Sequence, residues 1–449
     1  VLHMFSCNIY ITVPAPYSVK HFVVAKNSNI FAERFEYFMR VNAIIAEYNP
    51  FHNGHQYQLE ASRQKTKADY TIVAMSGNFV QRGAPAILNK YARAEMALRA
   101  GADLVLEIPS YYACGSAEYF ASGATALLDQ LGIVDHLCFG SECGDISLLK
   151  QIAEILAHEP EYYKEKLKEK LRQGYAYPTA RSFALLEYCP SLQTAIDIFA
   201  SPNNILGIEY TKALLRRKSD IEPVTIKRKG AGYHEQHLGN TASSAIAIRQ
   251  AVSSGQPLED LAGQMPAEAY EILKRTWENS CPIYSNDFSL PLLYKLLSEE
   301  TAGYDRYVDV TPELSDRIRK NIYQFSTFHS FCELLKTKDV TYTRLSRCLM
   351  HILLNMTDET LGSYQDMKTV PYARVLGLKK NSQPLLASIK ANSSIPMISK
   401  LADAQKHLSP AACTMLQEDI RISHIYNGVA ASKAHTALQN EYSTPMVIV

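Results

Sequence analysis

The sequence predicts an α/β fold, a doubly wound parallel sheet followed by a C-terminal mostly helical domain. Short apolar runs rich in β-branched residues alternate with helical stretches, which is typical of βαβ units. Right-handed crossovers between such strands make the sheet doubly wound. After about Leu261 the strand signal fades, and the rest of the sequence is predicted to be mostly helical.

Four apolar runs predict the first strands of the sheet, at residues 41–47, 70–77, 103–109 and 135–142. The first of them is a short, nearly continuous apolar run, as expected for a strand buried on both faces of a sheet. Helices are predicted between the strands, at residues 55–65, 90–100 and 117–130.

The following sequence adds helices and one more strand. Residues 158–187 predict a charged helical hairpin, and residues 201–217 predict a polar turn that leads into a helix. Residues 222–235 predict a strand that ends in a basic, glycine-containing loop, and another helix begins in residues 243–252. Residues 341–355 predict an amphipathic helix, because their apolar positions follow helical spacing.

The length of 449 residues suggests two or three domains. We expect residues 39–260 to form an α/β domain and residues 261–449 to form a second, mostly helical domain. Residues 1–38 form an N-terminal extension that we expect to pack poorly or to be disordered. They hold no basic segment followed by an apolar one, so a signal peptide is not predicted.

The composition limits the class of protein. The formal net charge is +1, so any nucleic-acid site must be a local basic patch. The nine cysteines form no CxxC pair, which favours buried thiols in a reducing cytoplasm over a zinc site. No apolar run approaches the roughly 20 residues of a membrane span, and no obligate protein partner is evident. We therefore expect a cytoplasmic protein.

The stretch "EYNPFHNGH" follows the first predicted strand, at the edge of the sheet where ligands of such folds bind. His52 and His55 share one face of the helix that begins there, and Gly54 lets a ligand approach the backbone. The helix N-terminus already favours an anion. The pattern predicts a phosphate site, suited to the α-phosphate of a nucleotide.

Two other interpretations of the histidine pair remain open. The pair could bind a metal ion, although a third ligand would be needed, and we predict no metal site. The two histidines could also be surface residues without a role. The strand, glycine and helix context favours phosphate binding over both.

The motif resembles that of the HxGH nucleotidyltransferase superfamily. Five blocks together are similar to the bacterial tRNA(Met) cytidine acetate ligase family: "AEYNPFHNGH", "SGNFVQRGAPAILNKYARAEMALRAGADLVLEIP", "FGSE", "SPNNILGIEY" and "KRKGAGYH". The resemblance covers nearly all of the chain from Met39 onward. The resemblance implies an HxGH nucleotidyltransferase-like Rossmann fold, with an ATP-binding catalytic domain at residues 39–260 and a helical tRNA-binding domain at residues 261–449. The activity that it implies is the formation of N4-acetylcytidine at the wobble position of elongator tRNA(Met) from acetate and ATP.

The resemblance also implies site residues. His52 and His55 would be catalytic. The ATP contacts would fall on Ile45, Ala46, Glu47, Tyr48, Asn49, Pro50, Phe51, His52, Asn53, Gly54, His55, Gln56, Tyr57, Gln58, Gly140, Asn203, Arg228 and Lys229. One block departs from related nucleotidyltransferases, since "SSAIAIR" carries Ile246 where a threonine is frequent.

Two further groups are candidates for substrate or tRNA contacts. Asn78, Gln81 and Arg82 follow the second strand, so they could face acetate or the target cytidine, or form an ordinary polar loop. Arg344 and Arg347, with His351, are predicted opposite the apolar stripe of their helix. They could contact tRNA phosphates or form a solvated helix face. Basic residues around Arg228 and Lys229 are predicted to form a local excess of charge.

The activity implied by the resemblance has two steps. Acetate attacks the α-phosphate of ATP, and the cytidine amine then attacks the acetyl-adenylate. Mg²⁺ on the leaving pyrophosphate is expected, without a dedicated protein site. Two alternatives are a small-molecule adenylyltransferase of the coenzyme-biosynthesis type and a non-catalytic nucleotide-binding module. The long helical domain argues against the first, and the intact HNGH argues against the second.

Overall fold

The structure is a computed structural model. It describes residues 39–192, 198–199, 201–228, 243–279, 282–367 and 369–449, together with the backbone of four strands before residue 39. Val41–Val449 form one compact unit, and Val1–Arg40 form another.

The strands are numbered in chain order: β1 (Leu2–Phe5), β2 (Asn8–Ala15), β3 (Ser18–Val24), β4 (Ala32–Arg34), β5 (Val41–Ala46), β6 (Tyr70–Ser76), β7 (Phe79–Val80), β8 (Ala84–Pro85), β9 (Leu104–Ile108), β10 (His136–Ser141), β11 (Glu222–Lys227), β12 (Ala373–Leu378), β13 (Met397–Ile398) and β14 (Val447–Ile448).

The α-helices are α1 (Asn53–Thr66), α2 (Lys90–Arg99), α3 (Ser110–Ala113), α4 (Ala117–Asp129), α5 (Ile146–His158), α6 (Glu161–Arg172), α7 (Tyr177–Tyr188), α8 (Pro202–Arg217), α9 (Ala245–Ser253), α10 (Ala267–Asn279), α11 (Ser289–Glu299), α12 (Pro312–Asn321), α13 (Phe328–Leu335), α14 (Tyr342–Leu353), α15 (Asp358–Asp366), α16 (Gln383–Asn392) and α17 (Pro410–Ala434). Short 3₁₀ helices cover Leu258–Gln264, Ser285–Phe288, Ile322–Gln324, Leu401–Lys406 and Glu441–Ser443.

The eight-stranded central sheet has the order β11-β10-β5-β6-β9-β12-β13, and β14 also pairs with β12. Along this order, β11, β10, β5, β6 and β9 are parallel to one another. The chain runs outward from β5 through β6 to β9, then returns to the other side of β5 for β10 and β11. This is the doubly wound order, and the predicted fold class is confirmed.

The reversal of strand order lies between β5 and β10. Ligands of doubly wound sheets bind outside the carboxyl ends of the strands at this point. The HNGH stretch follows β5 directly, and Gly140 lies near the end of β10. The topology therefore brings together two segments that lie more than 80 residues apart in the sequence.

The core on one face of the sheet joins strands of both halves of the chain. Ile44, Val73 and Val105 from β5, β6 and β9 are fully buried there with Leu98 of α2 and Ile248 of α9. Leu376 of β12 and helix α10 belong to the same cluster. Because the residues before and after position 260 share this core, the division predicted near that position is not a boundary between compact units.

Strand β12 was not predicted from the sequence, and it is the main difference in the C-terminal half. It lies antiparallel to β9, and all six of its residues are buried. Its run is short and holds Gly377 where a strand would normally keep a side chain, so the pattern gives no clear strand signal. The helical prediction for the rest of residues 261–449 agrees with α10–α17.

A buried cluster of charges fastens β12 and the C-terminal segment to the sheet. Lys90 Nζ donates to both carboxylate oxygens of Glu107 at 2.9 Å. Arg374 Nη2 donates to Glu441 Oε2 at 2.5 Å, and Arg374 Nη1 lies 3.3 Å from Glu107 Oε2. Two cations face two carboxylates, so the charges compensate each other where water is excluded.

The N-terminal unit is described by itself. Its strands β1–β4 pair antiparallel in chain order as a four-stranded sheet. That residues 1–38 pack poorly stays a prediction. Within the described residues of the whole chain, no helix is long and apolar enough to cross a membrane.

Candidate active site

The helix that carries the histidine pair begins at one of the two histidines. His52 is the N-cap of α1, and its Nδ1 accepts the N–H of Gly54 at 3.0 Å. The N–H of His52 in turn donates to Nδ1 of His55 at 3.3 Å, which completes a capping box. The two rings stack with centroids 3.7 Å apart. A Cβ on Gly54 would lie 2.8 Å from Cε1 of His52, so only glycine leaves this ring in place.

These hydrogen bonds fix the tautomers of both imidazoles. An Nδ1 atom that accepts a backbone N–H carries a lone pair, so the hydrogen of a neutral ring must lie on Nε2. Both His52 and His55 are therefore Nε2–H donors. A pair of donors at a helix N-terminus is suited to negative charge that develops on a phosphate.

Both rings are neutral in this site. Burial, together with the nearby positive charges of Arg228 and Arg249, lowers the pKa of His52 to about 3. Burial, the neighbouring His52 and Arg228 hold the pKa of His55 well below its usual value. The two histidines thus act as neutral hydrogen-bond donors, and the positive charge beside them is that of Arg228 and Arg249.

A cavity of about 320 Å³ opens beside the histidine pair, which is the size range of a small-molecule site. Many of the predicted ATP-binding residues line it: Ile45, Ala46, Glu47, Tyr48, Asn49, His52, His55, Gln58, Gly140, Asn203 and Arg228. They come from the ends of β5, β10 and β11 and from the starts of α1 and α8.

Six other residues of the predicted stretch do not line this cavity, and one of them, Pro50, is buried. Gly54 and Tyr57 line a smaller pocket that continues past His52 toward β11. Phe51 is fully buried in the core beneath the site. Asn53 donates to the carbonyl of Gly263, and Gln56 donates to Glu60. For Phe51, Asn53 and Gln56, the geometry supports a structural role better than a contact with ATP.

The wall at β10 is held by one carboxylate. Glu142 accepts from Asn203 Nδ2 at 2.6 Å and from the backbone N–H of Asn204 at 2.9 Å. Oδ1 of Asn204 accepts the N–H groups of Glu142 and Cys143 in return. Glu142 thus caps the first turn of α8, where the N-cap Ser201 makes no side-chain cap bond. This leaves Asn203 at the cavity and buries Asn204 behind it.

The loop after β6 divides into residues at the cavity and residues beneath it. Gln81 and Arg82 line the cavity, as the sequence analysis allows. Asn78 does not, because it is 3% exposed and its Oδ1 accepts the N–H of Lys90 at 2.9 Å. The prediction that Asn78 contacts a ligand is therefore not supported, since its side chain shapes the turn before α2.

Helix α14 packs against the end of this loop. Ser346 Oγ donates to the carbonyl of Gly83 at 2.7 Å. Arg344 is half-exposed, whereas Arg347 lies 3.6 Å from Asp309 with 14% of its side chain exposed. The prediction of an exposed His351 is wrong, because this ring is fully buried between the carbonyls of Val308 and Cys114.

The predicted excess of positive charge near Arg228 is largely neutralised. Lys212 pairs with Glu209 and Glu118, and Arg216 also pairs with Glu118. Arg217 pairs with Asp129 in the same way. In the C-terminal half, Arg374 likewise belongs to the buried charge cluster of the sheet. Lys229 lies outside the described residues.

One charged residue and a group of aromatic residues line the cavity without having been predicted from the sequence. Arg249 of α9 lines the cavity, and its Nη1 donates to the carbonyl of Asn49 at 2.6 Å. Phe120, Phe139 and Tyr210 form a packed aromatic group that lines the cavity. The arginine in "SSAIAIR" was visible as a motif residue, but the three aromatic residues follow ordinary core patterns and give no separate signal.

Among the described residues, no group of three or more His, Cys, Asp or Glu side chains is placed to hold a metal ion. Seven cysteines in the described part of the chain are free thiols, and four of them are buried.

The fold and the histidine turn define a nucleotidyltransferase of the HIGH type. A family model described as HIGH Nucleotidyl Transferase matches residues 39–441. More narrowly, the chain belongs to the tRNA(Met) cytidine acetate ligase family. It is 41% identical over 416 residues to the protein of that name from Acetivibrio thermocellus, covering 92% of this chain and 100% of the relative.

Other relatives agree over similar lengths. The tRNA(Met) cytidine acetate ligase of Caldicellulosiruptor saccharolyticus is 41% identical, with 90% of this chain and 97% of the relative covered. The crystal structure of apo Thermotoga maritima TmcAL superposes with a TM-score of 0.87 at 30% identity, covering 92% of this chain and 100% of that one. A second structure of that protein, bound with alpha-thio ATP, has a TM-score of 0.84 at 30% identity and covers 91% and 99%.

Proposed function

We propose that this protein forms N4-acetylcytidine at the wobble position of elongator tRNA(Met), using acetate and ATP. The observation that carries the proposal is the pair of neutral Nε2–H donors at the start of α1, located at the switch point of the sheet. Membership of a family whose relatives are named tRNA(Met) cytidine acetate ligase supplies the substrates.

The first step joins acetate to the nucleotide. A carboxylate oxygen of acetate attacks the α-phosphorus of ATP, the bond from that phosphorus to the bridging oxygen breaks, and pyrophosphate leaves. Acetate is already an anion at neutral pH, so this step needs no general base. His52 and His55 donate to the phosphate oxygens as negative charge builds up, and Arg228 adds a positive charge.

The nucleotide is proposed to lie along the wall formed by Gly140, Asn203 and Arg228. Gly140 suits close contact, since even a Cβ there would lie 3.3 Å from Cγ of Arg228. The stretch from Ile45 to Gln58 would surround the phosphates, and Lys229 would contribute a further charge. The relative bound with alpha-thio ATP supports an ATP site in this fold.

Mg²⁺ would enter with the triphosphate rather than at a site of its own. Within the described residues that line the cavity, Glu47 is the one acidic side chain, which does not suit a protein-bound magnesium ion. When bound, the ion would neutralise charge on the leaving pyrophosphate.

The second step transfers the acetyl group to RNA. The target cytidine must be unstacked from the anticodon loop to reach the adenylate. We propose that residues 261–449 bind the tRNA, with Arg344 as a phosphate contact beside Gln81 and Arg82. A cytoplasmic location is proposed too, because its tRNA substrate is used there and a reducing compartment suits the free thiols.

The test is a nucleoside analysis of tRNA incubated with the protein, ATP and labelled acetate. We expect labelled N4-acetylcytidine in elongator tRNA(Met), with one AMP and one pyrophosphate released per acetyl group. A transcript with uridine at the wobble position is the matched control and should stay unlabelled. Adenylation of a small phosphate acceptor without acetate would favour a coenzyme-type adenylyltransferase, and no turnover at all would favour a binding module.

A further inference from the structure

Among the described residues, one acidic side chain lines the cavity of the candidate active site itself. Of the described residues that line the cavity, Glu47 is the acidic one, at the end of β5 and half-exposed. Its Oε1 accepts the N–H of Gln81 at 3.0 Å, and its carbonyl accepts from Arg93 Nη1 at 2.6 Å. The structure shows no hydrogen bond from a described residue to Oε2. The carboxylate is held firmly and keeps one oxygen for a ligand.

A negative charge is unexpected in a site for two anions. ATP and acetate both carry negative charge, and like charges repel strongly where water is partly excluded. The first step gains nothing from a base, because acetate is already ionised. The arginines at positions 82 and 249 offset part of this repulsion, yet they do not explain why a carboxylate is present.

The second step does need a proton acceptor. The exocyclic amine of cytidine becomes positively charged when it attacks the acetyl carbon, and it must lose a proton for the amide to form. His52 and His55 cannot take this proton at Nε2, because their Nδ1 atoms accept backbone N–H groups and Nε2 already holds a hydrogen. The phenol of Tyr210 is protonated at neutral pH, since burial raises its pKa.

We propose that Glu47 is the general base of acetyl transfer and accepts the proton of the cytidine N4 amine. The nitrogen lone pair forms a bond to the acetyl carbon, the bond from that carbon to the AMP oxygen breaks, and AMP leaves with the electron pair. The amine proton passes to Oε2 of Glu47 and is later released to solvent. This inference rests on the proposed function, and it adds a catalytic residue for the second step alone.

The experiment compares the two half-reactions in Glu47→Gln. The amide is nearly isosteric, and its carbonyl oxygen still accepts the N–H of Gln81, so the loop is kept. Acetate-dependent ATP–pyrophosphate exchange measures the first step, and single-turnover acetylation of tRNA measures the second. We expect transfer to fall by about 10²–10⁴-fold, the range of general base catalysis, while exchange falls by less than about tenfold. Acetyl-adenylate should then accumulate on the variant in the presence of tRNA.

Two further variants separate a chemical role from a structural one. Glu60→Gln makes the same substitution at an exposed position of α1, and both steps should match the parent. Glu47→Asp keeps a carboxylate one methylene shorter, and it should transfer at least about tenfold faster than Glu47→Gln. If Glu47→Gln is unstable, Glu47→Ala takes its place as the variant without a carboxylate. Transfer by Glu47→Asp that is as slow as transfer by Glu47→Ala would overturn the proposal.

Two other results for Glu47→Gln would overturn the proposal. Equal loss of exchange and transfer in Glu47→Gln would assign Glu47 to nucleotide or magnesium binding and overturn its role as a base. Full transfer in that variant would do the same. Failure of the proposed function has a different signature, since the parent protein would then show no acetate-dependent exchange.

Discussion

At the residue scale, His52 combines a structural and a chemical role. Its Nδ1 begins α1 by accepting the Gly54 N–H, and this bond forces the hydrogen onto Nε2. The helix start and the donor tautomer therefore depend on the same interaction. A histidine at this position serves both needs, whereas the usual N-cap residues serve only the first.

We predict that His52→Ala reduces acetate-dependent ATP–pyrophosphate exchange by about 10²–10³-fold, the usual cost of one preorganised donor. It should also lose about 1 kcal/mol of stability with the N-cap. His52→Asn is the matched control, because its side chain can still cap α1 without an Nε2–H. It should keep more stability and lose similar activity. Exchange within a few-fold of the parent in both variants would remove His52 from the chemistry.

A second prediction concerns the buried histidine of α14. Burial lowers the pKa of His351, although its bonds to the carbonyls of Val308 and Cys114 raise it in part. A folded-state pKa below the unfolded value of about 6.5 means that the unfolded chain binds the proton first. The free energy of unfolding must then fall as the pH drops below 6.5. His52, with a pKa of about 3, contributes in the same direction.

Other groups titrate in this range, so the prediction is made for a difference. Burial raises the pKa of Asp419 to about 6, and this group acts in the opposite direction. Denaturant unfolding of the parent and of His351→Gln from pH 7 to pH 5 cancels such common contributions. The parent should lose more stability on acidification, by up to about 1.4 kcal/mol per pH unit. Parallel pH profiles would contradict a neutral buried His351.

At the element scale, the active-site loop depends on α14. The carbonyl of Gly83 accepts from Ser346, and two residues earlier the N–H of Gln81 donates to Glu47. The helix therefore supports the loop that holds the carboxylate of the cavity. Gly83 has a φ of +67°, and a Cβ there would lie 2.3 Å from the backbone nitrogen of Arg347. No side chain fits between the loop and the helix.

We predict that Gly83→Ala destabilises the protein more than Gly174→Ala. Gly174 has a φ of +84°, so both variants share a left-handed strain of about 1–2 kcal/mol. A Cβ at Gly174 would meet no other atom within 4 Å. The added overlap with α14 should cost Gly83→Ala a further 1–3 kcal/mol or so in denaturant unfolding. Acetyl transfer should fall in this variant as the loop moves. Equal stability of the two variants would mean that α14 readily gives way.

At the scale of the whole molecule, the C-terminal half is part of the catalytic sheet. Strand β12 pairs with β9, and the charges of Arg374 and Glu441 are buried against Lys90 and Glu107. A function for residues 261–449 in tRNA binding would therefore be exerted from a body continuous with the ATP site. We expect the two half-reactions to be separable by substitution but not by cutting the chain near residue 260.

Arg344→Ala tests this separation. We predict weaker tRNA binding and transfer, with acetyl-adenylate formation close to that of the parent. Loss of one phosphate contact should reduce the log–log salt dependence of tRNA binding by roughly one. Lys380→Ala is the matched control, because it removes an exposed cation just after β12. Since β12 runs antiparallel to β9, this position lies at the end of the sheet opposite the carboxyl ends of the parallel strands. That variant should bind as the parent does. An unchanged salt dependence in Arg344→Ala would identify a merely solvated helix face.

The sequence alone determined much of this architecture. Strands β5, β6, β9 and β10, the helices between them and the HNGH turn follow from local patterns, because apolar periodicity and capping act over a few residues. The resemblance to the family, and not these local patterns, pointed to further residues of the cavity, including Gly140, Asn203 and Arg228. Family membership was also evident from the order of several motifs.

Only the tertiary structure decided which polar residues face the cavity. Asn78 and His351 looked available in the sequence, yet their partners lie on other segments and satisfy them internally. Arg249 and Glu47 became a facing pair of charges only when α9 and β5 were brought together. Strand β12 likewise needed β9 beside it. The physical reason is common to these cases, since burial and pairing depend on contacts between residues far apart in the chain, whereas sequence patterns report mainly on near neighbours.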